Sequence, residues 1–383
     1  MAITDKEKGV WGLDQVYNKI NQGSIWEYST NLYGLWGWGK NHSGQLGLND
    51  DAHRSSPVQI GSDATWKTLG MDGNNQYQGF ATKTDGTLWS WGQNIHGALG
   101  QNQGQGNNIE YSSPIQIPGT WSDAIFSGTG VSFATKSDGT LWTWGNGNNG
   151  ATALNNETKY SSPVQVGSDT TWGTTSGSLA KMASIKTDGT LWSWGNIEIH
   201  NNRTNRSSPI QVGSGSDWST IRSTAYGLCA VKTDGTLWVS GNNGYGKLGQ
   251  NNTTEYSSPV QIPGTWKDFT GGGGHYTNAF INTDNELWVM GDNEHGTLGL
   301  NNTTQYSSPV QIPGSWDQVG LGAYVMFGIK TDGTGWTWGE NQYGECGQNN
   351  RTPVKYSSPI QVPGTNWDQP RGAMLSMFAL QKK

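Results

Sequence analysis

The tripeptide Ser-Ser-Pro occurs seven times, with its proline at Pro57, Pro114, Pro163, Pro209, Pro259, Pro309 and Pro359. A period of about 50 residues means one supersecondary unit copied in tandem, in which each copy covers its neighbour's apolar face. Two tryptophan series run in step with it. One opens a Leu-Trp-x-Trp-Gly type string at Trp36, Trp89, Trp142, Trp192, Trp238, Trp288 and Trp336; the other follows each proline, at Trp66, Trp121, Trp172, Trp218, Trp266, Trp316 and Trp367. The second tryptophan of the string is kept at Trp38, Trp91, Trp144, Trp194 and Trp338 and becomes Ser240 and Met290 in two copies. These positions absorb all but Trp11 and Trp26 of the 21 tryptophans. The excess is therefore read as packing, with looser contacts expected at Ser240 and Met290.

Within one copy, residues 80–92 give two short alternating runs joined by Thr-Asp-Gly-Thr, and Asp-Gly is a favoured centre of a tight hairpin. A loop rich in Asn and Gly follows, then Pro-Val-Gln-Ile as a third strand and a Trp-led segment as a fourth. Four short antiparallel strands per copy, without a helical pattern between them, predict an all-β, seven-bladed β-propeller. The first copy lacks its hairpin before Leu35, while Ser376–Lys382 align with the strand around Phe80 and stop where the turn would begin. Pairing of the N- and C-terminal strands is thus expected to close the ring and remove free sheet edges.

The predicted organisation is an N-terminal docking arm with a short helix over 1–31 and a propeller over 32–383. Blade one takes 32–60 with 366–383. The others take 64–118, 119–167, 170–213, 216–263, 264–313 and 314–363.

A formal net charge of −6 and the lack of a basic run argue against a nucleic-acid partner. Residues 1–30 mix Asp5, Lys6, Glu7 and Lys8 with no apolar run of signal or spanning length, so a soluble chain with no signal peptide and no membrane span is expected. Cys229 and Cys346 fall at different places in their copies, which predicts inert thiols rather than a disulfide.

Catalysis needs a nucleophile, paired carboxylates or metal ligands converging on one point. Asp85, Asp138, Asp188, Asp234, Asp284 and Asp332 instead occupy one turn in successive blades, where their role is the turn itself. Gly271–Gly274 has no Walker-type lysine after it and reads as a bend between strands. No enzyme activity, cofactor or metal site is expected. His42, His96, His200 and His295 lie in the loop after the Trp-Gly strand, where other blades offer Asn149, Tyr245 or Tyr343. Blade symmetry spreads them too widely to share a metal at about 2 Å. Strand order puts Tyr77, His275, Tyr276 and Tyr324 at the same end. Residues that vary on a repetitive scaffold can encode specificity, so these ten His and Tyr side chains form the expected partner-binding face. Loops under no constraint would vary in the same way.

The string Lys-Thr-Asp-Gly-Thr-Leu-Trp-Ser-Trp-Gly-x-Asn-x-x-Gly-x-Leu-Gly, followed by Ser-Ser-Pro-Val-Gln-Ile-Pro, resembles the repeat of the regulator of chromosome condensation propeller family over residues 32–383. The resemblance implies seven blades closed by strands from both termini. Eukaryotic members exchange nucleotide on a small nuclear GTPase and bind chromatin. This chain lacks their basic tail and long insertions, and its short, near-identical copies look more like bacterial and bacteriophage members.

Residues 9–26 are similar to the leader of tailed-phage virion proteins, and Leu13, Val16, Tyr17 and Ile20 fall on one face of a short helix that, with Trp11 and Trp26, would dock on the propeller or on a neighbour. The expected function is a non-enzymatic structural or adhesion component of a phage virion, as fibre, spike or decoration. Its partners would be virion neighbours or a host surface receptor. The alternatives are a soluble protein-binding propeller, as an enzyme inhibitor or GTPase regulator, and a glycan-binding propeller stacking sugars on Trp11, Trp26 and the loop tyrosines.

Overall fold

An Asp-Gly-Thr turn organises the hairpin of five blades. Asp85 Oδ1 accepts the Thr87 backbone N–H at 3.0 Å and its hydroxyl at 2.7 Å, and the Thr87 Oγ1 accepts Trp89 Nε1 at 2.9 Å. The same chain of bonds recurs from Asp138, Asp188, Asp234 and Asp332. The turn thereby fixes the rotamer of the first tryptophan on the strand that leaves it.

The computed structural model describes residues 32–71, 77–103, 109–128, 130–178, 181–196, 205–224, 227–270 and 276–383. The expected arm, with Trp11, Leu13, Val16, Tyr17, Ile20 and Trp26, lies outside the described residues, as does the Gly271–Gly274 tract. Twenty-eight strands among the described residues form seven four-stranded antiparallel sheets. β1 (Tyr33–Gly39) and β2 (Arg54–Gln59) open the ring. Blade two runs in sequence order as β3 (Trp66–Leu69), β4 (Gln78–Lys83), β5 (Leu88–Gln93) and β6 (Glu110–Ile117), and five further blades repeat this order. The last strands, β27 (Trp367–Ala373) and β28 (Ser376–Lys382), join blade one in the order β2-β1-β28-β27. Pairing runs from Tyr33↔Lys382 to Gly39↔Ser376 without a register shift. The two ends of the described chain thus share one sheet.

First strands of neighbouring blades pack side by side, as where Ser127 N–H donates to Gly70 O at 3.1 Å. The apolar core is correspondingly divided into layers between blades: Phe80, Leu88, Leu99 and Ile117 of blade two meet Trp121, Ile125, Ala134 and Trp144 of blade three. Burying an indole N–H favours pairing it with an acceptor. The second tryptophan finds its own across the blade boundary, where Trp38 donates to Glu345 O, Trp91 to Gln45 O, Trp144 to Ala98 O, Trp194 to Ala151 O and Trp338 to Thr297 O at 2.6–3.1 Å. Trp38 to Glu345 spans the closure.

Ser-Ser-Pro gains a physical meaning from the same junctions. Gly44 has φ 66°, and a Cβ there would lie 2.7 Å from the Cα of Ser112 in the next blade, so only glycine permits the approach. The Asn49 N–H then donates to Ser112 O at 2.6 Å. Equivalent loop-to-Ser contacts link Gly97 to Ser161 and Gly344 to Ser55.

Ser240 and Met290 are fully buried. In the Met290 blade the acceptor left by the absent indole, Lys247 O, is taken by Asn278 Nδ2 at 2.9 Å. The Ser240 hydroxyl is buried with no partner among the described residues. The loss is thus offset in blade six.

Candidate recognition face

The loops after the Trp-Gly strands are held by a buried asparagine. Asn41 Oδ1 accepts Leu46 N–H at 2.8 Å while its amide donates to Asp50 O at 3.0 Å, and Asn94, Asn243, Asn293 and Asn341 repeat this bracket. A braced loop can present a side chain at a fixed place without a helix or strand beneath it.

The presented side chains pair across blade boundaries. His42 of blade one meets Tyr77 of blade two edge-on at 4.6 Å between ring centres. Tyr245 of blade five lies on Tyr276 of blade six at 4.1 Å, and His295 of blade six on Tyr324 of blade seven at 4.1 Å. Tyr343 of blade seven meets His53 of blade one at 5.0 Å. Lys40 sits between two of these pairs, with Nζ 5.2 Å from the Tyr77 ring centre and 4.9 Å from that of Tyr343. Aromatic side chains therefore follow an arc from blade five through blade one to blade two. His96 stands apart from it, with Gly130 of blade three as its neighbour where blades two, six and seven supply Tyr77, Tyr276 and Tyr324. His200 and His275 lie outside the described residues.

Acidic groups accompany this arc. Burial pushes the Glu340 carboxyl up, against the pull of His295 and Lys40, and His295 Nδ1 is 3.9 Å from Glu340 Oε2. Burial first, then Glu340 and Asp292, raise the Tyr324 phenol. Burial with Lys40 holds His42 below the usual imidazole range, burial with Arg351 does so for His53, and burial with Lys159 for His96. Beneath the arc, Glu345 is fully buried; its Oε2 accepts Tyr343 N–H at 2.8 Å, its Oε1 has no partner among the described residues, and burial pushes its carboxyl up to about 7.

Of the sequence-predicted residues, His42, Tyr77, Tyr245, Tyr276, His295, Tyr324 and Tyr343 are brought into inter-blade ring pairs, two of which share Lys40, whereas His96 is not. Lys40, His53, Glu340 and Glu345 were not singled out by sequence reasoning. Their role depends on the closure, which sets residue 40 beside residue 343. No group of three or more His, Cys, Asp or Glu that could hold a metal exists among the described residues. Cys229 and Cys346 are free and buried, and burial pushes the Cys229 thiol up to about 12. No helix among the described residues is long and apolar enough to cross a membrane.

Fold and face together define a seven-bladed β-propeller with one repetitive end and one variable end. Residues 34–67, 85–134, 234–277 and 284–327 match the family model for the Regulator of chromosome condensation (RCC1) repeat. Those four stretches of the propeller are thus similar to the RCC1 repeat. The chain is 30% identical over 135 residues to the ultraviolet-B receptor UVR8 of Arabidopsis thaliana, covering 35% of this chain and 30% of the receptor. It is 26% identical over 120 residues to the human E3 ubiquitin-protein ligase HERC2, covering 30% of this chain and 2% of the ligase. The matched stretches therefore span less than a third of either relative's length. Among solved structures, Prp20p of Saccharomyces cerevisiae superposes with a TM-score of 0.79 at 16% identity, covering 92% of each chain. Human WBSCR16 gives 0.77 at 17% identity, covering 92% of this chain and 99% of that one.

Proposed function

We propose that the chain is a non-enzymatic, protein-binding propeller that engages its partner through the loop face, centred on the arc from blade five to blade two. The observation that carries this reading is the run of inter-blade aromatic pairs at Tyr245–Tyr276, His295–Tyr324, His53–Tyr343 and His42–Tyr77. Aromatic side chains beside Lys40, Glu340 and Asp292 have the composition of an interface centre with a polar surround. Prp20p, similar in fold, is described by its binding to Gsp1p and histones, which supports a partner-binding role for this architecture.

The expectation of a virion component docked through residues 1–31 rests on residues outside the described part, and no relative named above is a virion protein. The glycan alternative relied on Trp11 and Trp26, also outside it, and on tyrosines whose rings are engaged by neighbouring blades.

The test replaces Tyr245, His295 and Tyr343 together by Ala and compares captured proteins with those of the parent chain from its own source cells. Loss of a specific partner from a folded variant is expected. Retention of every interaction would move the site elsewhere.

A further inference from the structure

At the turn end, five blades carry a lysine just before the hairpin turn, and its ammonium lies over both tryptophans of the blade. Lys83 Nζ is 4.7 and 4.1 Å from the ring centres of Trp66 and Trp89, and Lys136, Lys186, Lys232 and Lys330 repeat the arrangement at 3.6–5.5 Å. The indole faces attract the cation, most strongly where water is excluded. Each such blade supplies its own cation to its own aromatic slot.

Blade six keeps the two tryptophans, Trp266 and Trp288, and lacks the lysine. Asn282 stands in its place, and its short side chain is turned into the hairpin, where Oδ1 accepts Asp284 N–H at 3.1 Å and Glu286 N–H at 2.8 Å and Nδ2 donates to Glu286 Oε2 at 2.7 Å. The turn residue that elsewhere accepts the indole N–H is Thr; here it is Glu286, and Trp288 Nε1 is buried with no partner among the described residues. Trp266 Nε1 is unpartnered among the described residues, as are the equivalent Trp66, Trp172, Trp316 and Trp367, so the unpartnered Trp288 Nε1 is what sets blade six apart. With no Thr two residues on, the exposed Asp284 carboxylate also has no partner among the described residues. A cavity of about 520 Å³ opens between blades five and six, lined by Trp266, Trp288, Asn282, Asp284, Ile262 and Pro309. The matching cleft between blades one and two, about 510 Å³, contains Lys83 ion-paired to Asp63 at 2.6 Å.

We infer that the blade-six cleft is a binding site for an organic ammonium group, which takes the place that lysine fills in five other blades, with Asp284 as counter-charge. The cation is a small alkylammonium or the side chain of a lysine on another protein. The chemistry is the same for both, and the site lies at the opposite end from the loop face. It therefore stands or falls separately from the partner-binding reading.

The test uses the full chain with ¹⁵N-labelled indoles, titrated at constant ionic strength with n-butylammonium, with tetramethylammonium, with n-butanol as neutral control and with acetyl-Gly-Lys-Gly-amide. Saturable shifts of the Trp266 and Trp288 N–H signals by ammonium are expected, with the alcohol binding at least about tenfold more weakly. The better ligand of the amine and the peptide identifies the source of the cation. N282K, which restores the lysine of the other blades, is expected to abolish binding. The absence of a saturable shift, equal binding of the alcohol, or unchanged binding by N282K would overturn the inference.

Discussion

The two ends of the propeller are built from the same repeats and behave differently. At the turn end, Asp, Thr, Lys and two tryptophans recur in nearly the same geometry, and where Lys83 lies over Trp66 and Trp89, Lys186 lies over Trp172 and Trp192. At the loop end a common bracket of buried asparagine holds side chains that change from blade to blade, from His96 to Tyr245 to Tyr343. What repeats satisfies a need every blade shares: to bury the indoles that fill the boundary with its neighbour. What changes answers no such need and is available for recognition. Blade six shows the rule from the other side, since it departs at the turn end, with Asn282 for the lysine and Glu286 for the threonine, and its two indoles lack the cation of the other slots.

The contrast can be broken at several points. The severest test removes residues 376–383, which deletes β28 from between β1 and β27. Because neighbour contacts carry the stability of a repeat array, the truncated chain is expected to lose cooperative unfolding altogether. A melt at the parent temperature would refute the closure account. Next in size, Trp144→Ala empties a fully buried site and removes the donor to Ala98 O, and should cost about 3–5 kcal/mol in urea unfolding.

Glu345→Gln tests the loop end through pH. The folded carboxyl titrates at about 7, above its ordinary 4.5, so the folded state holds the proton more tightly than the unfolded chain. This group's stabilisation is therefore fully present below about 4.5 and is lost as pH rises toward about 7. Gln45 already occupies the equivalent place in blade one, with its Oε1 accepting Ser43 N–H at 2.9 Å. The Gln variant should gain on the order of 3 kcal/mol above pH 7 and nothing at the acid end of the window. Equal gains at both ends would mean that charge is not the cause. Smallest, Lys136→Ala should cost about 1 kcal/mol, the scale of one partly buried cation–π contact.

Much of this was legible in the sequence because its periods are physical. Three marker series gave the number of blades, and the missing hairpin before Leu35 with its complement at Ser376–Lys382 gave the closure. The end of the ring that holds Tyr77, Tyr245 and Tyr343 followed from strand order. Which of them touch did not, because ring stacking depends on the angle between blades. Lys40 escaped notice for a related reason: it reaches Tyr343 only through the closure. Asn282 was visible as a break in the Lys-Thr-Asp-Gly string, yet its consequence required knowing that the lysine before the turn lies over two indoles drawn from different strands. Asp284 was read with the other turn aspartates, although the Thr that engages them is absent beside it.

The division between a holding end and a recognising end is tested most directly by urea unfolding of two triple variants side by side. One replaces Lys83, Lys136 and Lys186 by Ala; the other replaces Tyr245, His295 and Tyr343. The clamp variant is predicted to lose about 3 kcal/mol, as three separated cation–π contacts, and the loop variant about 1 kcal/mol or less. A loop variant destabilised as much as the clamp variant would show that the variable side chains hold the ring together, and the account would fail.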